Sequence, residues 1–157
     1  MNSWTIKNNY LLSLISDLID SIRKKKFIKI DLRWEYNNMR IKKGDEWKAA
    51  FSMPEGAFEL MVMFFGLTNL PATFQAMIND LFRNMIEVED VAVFIDDVIV
   101  GTETEEGHNE IVKEVLRRMT ENDLFVKPKN YVWKVREVRF LRVIIGPDSM
   151  RMKKEKV

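Results

Sequence analysis

The amino-acid sequence predicts an α+β fold in which one antiparallel sheet carries its helices on one face. Apolar residues recur at helical spacing in several segments, and these segments alternate with short β-rich runs. The order of the central elements is β-α-β-β-α-β, the pattern of the ferredoxin-like fold. The chain has 157 residues, 46% of them hydrophobic and 31% charged, which is typical of a single globular domain.

The first elements are a helix and a strand. Apolar residues recur at helical spacing over residues 12–22, and a basic run over residues 23–26 suits the end of a helix. A strand is predicted over Phe27–Leu32. Because side chains alternate along a strand, its aliphatic residues share one face, and Lys29 and Asp31 lie on the other.

A hairpin and a long helix follow. Apolar stretches over Trp47–Met53 and Ala57–Met63 flank the turn residues 54–56 and predict an inserted hairpin. Pro71 is well placed to begin a helix over residues 71–86. One stripe of this helix carries Phe74, Met77, Ile78, Leu81, Phe82 and Met85.

Two short β-rich runs, Val91–Ile95 and Val98–Gly101, are separated only by Asp96 and Asp97, which predicts a tight turn with carboxylates at its tip. A helix over residues 107–121 comes next.

Thr102 and Glu105 stand at capping-box spacing before that helix. Three further strands are predicted over Leu124–Val126, Asn130–Val135 and Val138–Ile145. We expect the last two to form a hairpin.

Three acids are candidates for a functional site. We expect the first strand to lie beside the first strand of the middle hairpin, which would bring Asp31 close to Asp96 and Asp97. Clustered carboxylates raise one another's pKa unless a divalent cation compensates them, and oxygen ligands favour Mg²⁺ or Mn²⁺. Two such ions about 4 Å apart can activate a 3′-hydroxyl and stabilise a leaving pyrophosphate. We therefore expect paired cations between these acids, and a basic side chain in their place would count against this metal chemistry.

A simpler interpretation of the same acids stays open. Asp-Asp is a favourable turn dipeptide, and Asp31 on a half-buried strand could simply face solvent. Adjacent strand residues point to opposite faces, so Asp96 and Asp97 need not both reach a metal. If one of the two serves only the turn, Asp97 is the stronger candidate.

Composition excludes several other kinds of site. The chain has no Cys and one His, which excludes disulfides, cysteine nucleophiles and thiolate zinc sites. The longest apolar run, Leu60–Phe65, is far shorter than the ~20 residues that span a bilayer, and the first residues lack the charged and apolar blocks typical of a signal peptide. We expect a soluble, intracellular protein with no membrane partner.

Charge is strongly segregated along the chain. Residues 23–43 and residues 124–157 each carry a net charge of +7, whereas residues 80–123 carry −9. Basic tracks beside an acidic centre favour a polyanionic partner such as nucleic acid, although solvated surfaces can show the same pattern.

Four segments, in order and spacing, resemble the motifs of reverse transcriptases from gypsy-type LTR retrotransposons, which are RNA-directed DNA polymerases. They are Phe27–Arg33 with Tyr36, Gly44–Lys48 with Ala50 and Phe51, Phe64–Asn69 running into Pro71–Gln75, and Phe94–Asp97. The resemblance covers nearly the whole chain. It implies a palm over about 27–36 and 71–126, a partial fingers subdomain over about 1–26 and 37–70, and a primer-grip region over about 127–157.

The resemblance also implies roles for individual residues. Asp31, Asp96 and Asp97 would be catalytic and would bind two Mg²⁺ ions, or Mn²⁺. The pocket for the incoming deoxynucleoside triphosphate would be formed by Tyr36, Phe65 and Gly66. Contacts to an RNA or DNA template and its primer would be made by Gln75, Phe140 and Leu141.

The matching motifs include no thumb, RNase H or integrase region, so we expect those parts of a parent polyprotein to lie outside this chain. Two other hypotheses remain. One is a catalytically inactive retrotransposon remnant that binds at most nucleic acid or protein. The other is an unrelated α+β binding module, which Asp31 and Asp96 carboxylates more than about 10 Å apart would favour.

Overall fold

The structure is a computed structural model. It describes residues 5–10, 17–18, 26–33, 37–127, 132–135, 138–140, 143–145 and 150–152. The strands and helices in chain order are β1 (Lys26–Arg33), β2 (Ala50–Met53), β3 (Gly56–Glu59), α1 (Leu70–Leu81), α2 (Arg83–Glu87), β4 (Val91–Phe94), β5 (Asp97–Thr102), α3 (Glu105–Glu121), β6 (Phe125–Val126), β7 (Val132–Val135), β8 (Val138–Phe140), β9 (Val143–Ile145) and β10 (Met150–Met152).

The predicted α+β fold with an antiparallel β-α-β-β-α-β sheet is confirmed. The main sheet has the order β4-β5-β1-β6, and β7 also pairs with β1. The strand next to β1 is β5, the second strand of the middle hairpin, so the expectation that the first strand of that hairpin would be its neighbour is wrong. The helical connection from β1 to β4 leaves one strand position open beside β1. Strand β5, the second strand of the hairpin, then fills this position.

The hydrophobic core lies between one face of this sheet and the helices. The aliphatic face of β1 contributes Ile28, Ile30 and Leu32, all fully buried. Side chains of α1, β5 and α3 complete the cluster, among them Phe74, Ile78, Val98, Val100, Val115 and Met119. Burial of this apolar area is the main driving force for folding. The opposite face of β1 carries Lys29 and Asp31 together with the buried Phe27.

The long helix predicted over residues 71–86 is broken at Phe82 into α1 and α2. The Phe82 N–H donates to the carbonyl of Ile78 at 3.1 Å, which closes α1. The Phe82 carbonyl accepts hydrogen bonds from Met85 and Ile86, both at 2.9 Å, which opens α2. Phe82 is fully buried, so the break turns the end of the apolar stripe into the core.

Other predicted elements differ in extent. The predicted strand Trp47–Met53 begins as a 3₁₀ turn over Glu46–Ala49, and only β2 and β3 form the hairpin. Most of the helix predicted over residues 12–22 lies outside the described residues, of which residues 17–18 are helical.

The C-terminal strands pair differently from the prediction. The sequence favoured a hairpin between Asn130–Val135 and Val138–Ile145. In the structure β7 pairs with β1, while β8, β9 and β10 form a separate three-stranded sheet. No helix in the described part of the chain is long and apolar enough to cross a membrane.

Helix α3 is capped by a residue other than the one predicted. Thr104, not Thr102, is the N-cap, and its hydroxyl accepts a hydrogen bond from the Gly107 N–H at 3.3 Å. Thr102 instead contacts Nδ1 of the buried His108 at 2.9 Å.

Replacing Thr104 by alanine removes this cap. Thr104→Ala is expected to lower the free energy of unfolding by about 1 kcal/mol, because a helical N–H loses its acceptor. Urea unfolding at neutral pH measures the change. Thr104→Ser keeps the hydroxyl and should stay close to the original protein, and equal losses in both variants would contradict the capping role.

Candidate active site

Two acids from neighbouring strands meet on the face of the sheet that carries Lys29 and Asp31. Asp31 in β1 stands opposite Asp97 at the start of β5 in the antiparallel register. Lys29 precedes Asp31 by two residues and therefore lies on the same face. Its Nζ lies 2.9 Å from Oδ1 of Asp97 and 3.2 Å from Oδ1 of Asp31. Both carboxylates thus contact the same ammonium group.

Lys29 changes the electrostatic picture expected from the sequence. The sequence predicted cations and no basic side chain between the acids, and the second part of this prediction is wrong. Instead the lysine stem runs along the strand and places its ammonium group between the two carboxylates, where it compensates part of their charge. The alternation of β1 already put Lys29 and Asp31 on one face, so the pattern contained the signal for this contact.

Burial dominates the ionisation of Asp97. The pKa of Asp97 is raised to about 6, chiefly because burial desolvates its carboxyl group. The contacts with Lys29 oppose this rise, whereas the hydrogen bond to Asp31 and the charge of Asp96 add to it. Burial alone would lower the pKa of Lys29, but its contacts with Asp97 and Asp31 outweigh burial and raise it. The Asp97 carboxyl group therefore titrates at a pH of about 6, and the neighbouring Lys29 stays positively charged there.

The turn that precedes Asp97 has a strained backbone. Ile95 has φ 53°, a left-handed conformation that is rare for a β-branched residue, and such strain costs on the order of 1–3 kcal/mol. Asp96 follows, and its carbonyl accepts a hydrogen bond from the Leu32 N–H at 2.9 Å. The sequence favoured Asp97 as the member that serves only the turn. In the structure the Asp97 carboxylate lies beside Asp31, with Lys29 between them, and which of the two acids serves only the turn stays a prediction.

Gln75 of α1 reaches this turn from beneath. Its side chain is fully buried. Oε1 accepts a hydrogen bond from the Ile95 N–H at 2.7 Å, and Nε2 donates to the carbonyl of Val93 at 3.2 Å and to Oδ1 of Asn79 at 2.8 Å. One side-chain amide therefore holds the backbone on both sides of Phe94.

The family model described as "Reverse transcriptase (RNA-dependent DNA polymerase)" matches residues 4–145. This chain belongs to the reverse transcriptase family. The Transposon Tf2-3 and Tf2-7 polyproteins of Schizosaccharomyces pombe are 33% and 32% identical to it over 142 residues. Each match covers 90% of this chain and 11% of the polyprotein, so the chain spans about a tenth of these relatives. They agree with the gypsy-type LTR retrotransposon resemblance, and an unrelated binding module is the wrong interpretation.

Solved structures give the same fold. The foamy viral protease-reverse transcriptase in complex with RNA/DNA hybrid superposes with a TM-score of 0.86 at 24% identity, covering 97% of this chain and 20% of that one. A foamy viral protease-reverse transcriptase in complex with dsDNA gives 0.72 at 30% identity, covering 82% of this chain and 27% of that one. The reverse transcriptase domain described here therefore corresponds to only a part of each solved chain.

The carboxylates of this reverse transcriptase domain fit a divalent cation in part. Asp31 and Asp97 already share one positive charge, and their oxygens are the ligands that Mg²⁺ and Mn²⁺ prefer. Oδ1 of Asp31 and Oδ1 of Asp97 contact the same ammonium group, so these two acids lie close enough to share a cation. Among the described residues, however, no three His, Cys, Asp or Glu side chains are grouped closely enough to hold a metal ion. Asp96, which precedes Asp97 in the sequence, is the third acid that the family resemblance implies.

The predicted substrate-binding residues fall in several places. Phe65 and Gly66 form a turn before α1, where Phe65 is 75% exposed and Gly66 has φ 103°. The backbone of Phe140 pairs with Val143 in the small sheet. Tyr36 and Leu141 lie outside the described residues. The roles of these five residues remain predictions.

Gln75 is the predicted template-binding residue whose surroundings differ most from the expectation. Its side chain is enclosed by the domain and bonded to the turn, so a template would reach it only if the turn moved. Helical periodicity places Gln75 beside Phe74 but does not show what an amide there would bond to. The template contact therefore stays a prediction.

Proposed function

We propose that this domain acts, within a longer protein, as an RNA-directed DNA polymerase. It adds deoxynucleotides to the 3′-hydroxyl of a primer annealed to an RNA or DNA template. The observation that supports this most directly is that Asp31 and Asp97, distant in sequence, stand opposite each other on paired strands. Family membership supports the reaction class, and the pairing of these two acids supports a site on this part of the sheet.

Asp31, Asp96 and Asp97 would hold two Mg²⁺ ions, or Mn²⁺. Such ions, when bound, neutralise the charge of the triphosphate and activate the primer hydroxyl. The contribution of the chain is to fix the ligands. Asp31 and Asp97 stand on paired strands, so the geometry of the sheet sets their separation, and rigid elements hold functional groups more accurately than loops do.

The substrates would approach from the regions that the family resemblance implies. Tyr36, Phe65 and Gly66 would form the pocket for the deoxynucleoside triphosphate, and the large exposed area of Phe65 suits stacking. Phe140 and Leu141 would contact the primer. In this proposal β2 and β3 belong to the fingers, and the main sheet with α1 and α3 forms the palm.

Primer extension on an RNA template with Mg²⁺ tests the proposal. The original chain should incorporate deoxynucleotides, and Asp31→Asn should reduce the rate roughly 10²- to 10³-fold, the scale seen when one group that stabilises transition-state charge is removed. Asp80→Asn alters an exposed acid of α1 that pairs with Arg83, so it should keep full activity.

Two results would contradict the proposal. Equal activity in the original chain and in Asp31→Asn would remove the carboxylate site from the reaction. Absence of incorporation by well-folded original protein would favour the catalytically inactive remnant instead.

A further inference from the structure

We propose that Gln75 is a positioning residue that holds the turn carrying Asp96 and Asp97, and that Asn79 orients its amide. This inference rests on the proposed function for its catalytic consequence. It assigns Gln75 a role different from the template contact that the family resemblance implies.

The turn needs a partner for its backbone. The last residue pair of the β4–β5 ladder is Phe94 with Asp97, so Ile95 lies beyond the ladder. The Ile95 N–H bonds to Oε1 of Gln75 at 2.7 Å. A buried backbone N–H without an acceptor is strongly unfavourable. Gln75 therefore supplies the hydrogen-bond acceptor for the N–H of Ile95. Ile95 has a left-handed backbone and directly precedes the two acids.

Asn79 fixes which end of the amide faces the turn. An amide has a donor end and an acceptor end. Oδ1 of Asn79 accepts a hydrogen bond from Nε2 of Gln75 at 2.8 Å, and its own Nδ2 donates to the Tyr10 hydroxyl at 2.9 Å. With Nε2 held in this way, Oε1 is directed to Ile95. Tyr10, Asn79 and Gln75 thus form one continuous chain of hydrogen bonds that ends at the turn.

The position of the turn can be followed without any activity measurement. The Leu32 N–H donates a hydrogen bond to the Asp96 carbonyl. Gln75 takes no part in this bond. If Gln75 holds the turn, its loss shifts Asp96 and weakens this bond, so the Leu32 amide exchanges faster with solvent. A residue that only contacts a template leaves this amide protected.

The variants are Gln75→Met, which keeps the length of the side chain and removes its amide, and Asn79→Ala, which removes the orienting partner. Thr120→Ala is the matched control, because it removes a side-chain hydrogen bond to a backbone carbonyl of α3, away from the turn. Each protein is examined by amide exchange, by the single-turnover rate of nucleotide addition and by the Kd for primer-template. Asn79 is only partly buried, so its variant also serves if Gln75→Met fails to fold.

For a positioning residue we expect Gln75→Met to lower the single-turnover rate roughly 10- to 100-fold, because small displacements of reacting groups are costly. Its Kd for primer-template should stay within about twofold of the original, and its Leu32 amide should exchange faster. Asn79→Ala should change the same quantities in the same direction but less, and Thr120→Ala should change none of them.

A weaker Kd with an unchanged rate would overturn the proposal in favour of a template contact. Unchanged exchange at Leu32 in both variants would overturn it as well. If the original chain makes no DNA, the proposed function fails, while exchange at Leu32 still decides whether Gln75 holds the turn.

Discussion

Asp97→Asn is expected to stabilise the folded domain above pH 6 while it removes polymerase activity. The pKa of Asp97 is raised from 3.8 to about 6 in the fold, chiefly by burial. A group whose pKa is raised on folding binds its proton more tightly in the folded state, so its contribution to stability is lost as the pH rises through the folded pKa. Asparagine resembles the protonated carboxyl and avoids this loss.

The size of the gain follows from the same shift. Each pKa unit corresponds to about 1.4 kcal/mol, so the gain at pH 8 is on the order of 1–3 kcal/mol. Lys29 retains Asp31 as its partner in the variant, so no buried charge is left alone. Near pH 4 the Asp97 carboxyl of the original protein is largely protonated, and the two proteins should be almost equally stable.

Urea unfolding at pH 4 and at pH 8 measures this difference. Asp80→Asn is the control, because the Asp80 side chain is 71% exposed and surface substitutions usually change stability by less than about 0.5 kcal/mol. A destabilised Asp97→Asn at pH 8 would mean that the ion pair with Lys29 outweighs the burial of the carboxylate. A gain that is the same at both pH values would exclude ionisation as its cause.

The sequence predicted the fold well where the pattern is local and repeated. Strand β1 shows clear periodicity and formed close to its predicted bounds, whereas the helix predicted over residues 71–86 kept its start and its apolar stripe but ended at Leu81. Pairing between distant strands is not encoded in any one segment. The neighbour of β1 was therefore misassigned, and β7 was paired with β8 in place of β1.

The site was predicted in part for the same reason. Asp31 and Asp97 could be selected because their residue type and spacing point to metal chemistry, and the structure brings them together. What Lys29 and Gln75 contact depends on the direction of long side chains in the folded protein. A lysine beside an aspartate, or a glutamine in a helix stripe, has many partners available until the tertiary structure limits them.

Phe82→Ala is expected to be the most destabilising of these substitutions, with a loss of about 3–5 kcal/mol in the free energy of unfolding. Phe82 is fully buried and joins α1 to α2, since it ends one helix and begins the next. Alanine favours helix more strongly and could continue α1, but it leaves a cavity where the ring packs against the core. Cavity formation is the larger of the two effects, so the net change is a loss.

Phe58→Ala is the matched control, because the same ring is removed from β3, where Phe58 is 44% exposed and stacks on Phe51 at a ring separation of 5.9 Å. Its loss should be about 1 kcal/mol. Urea unfolding followed by circular dichroism compares the two variants, and Phe82→Leu should fall between them because it fills part of the cavity. Equal losses for Phe82→Ala and Phe58→Ala would show that the helix junction does not depend on the buried ring. A more stable Phe82→Ala would show instead that the break between α1 and α2 stores strain that a continuous helix relieves.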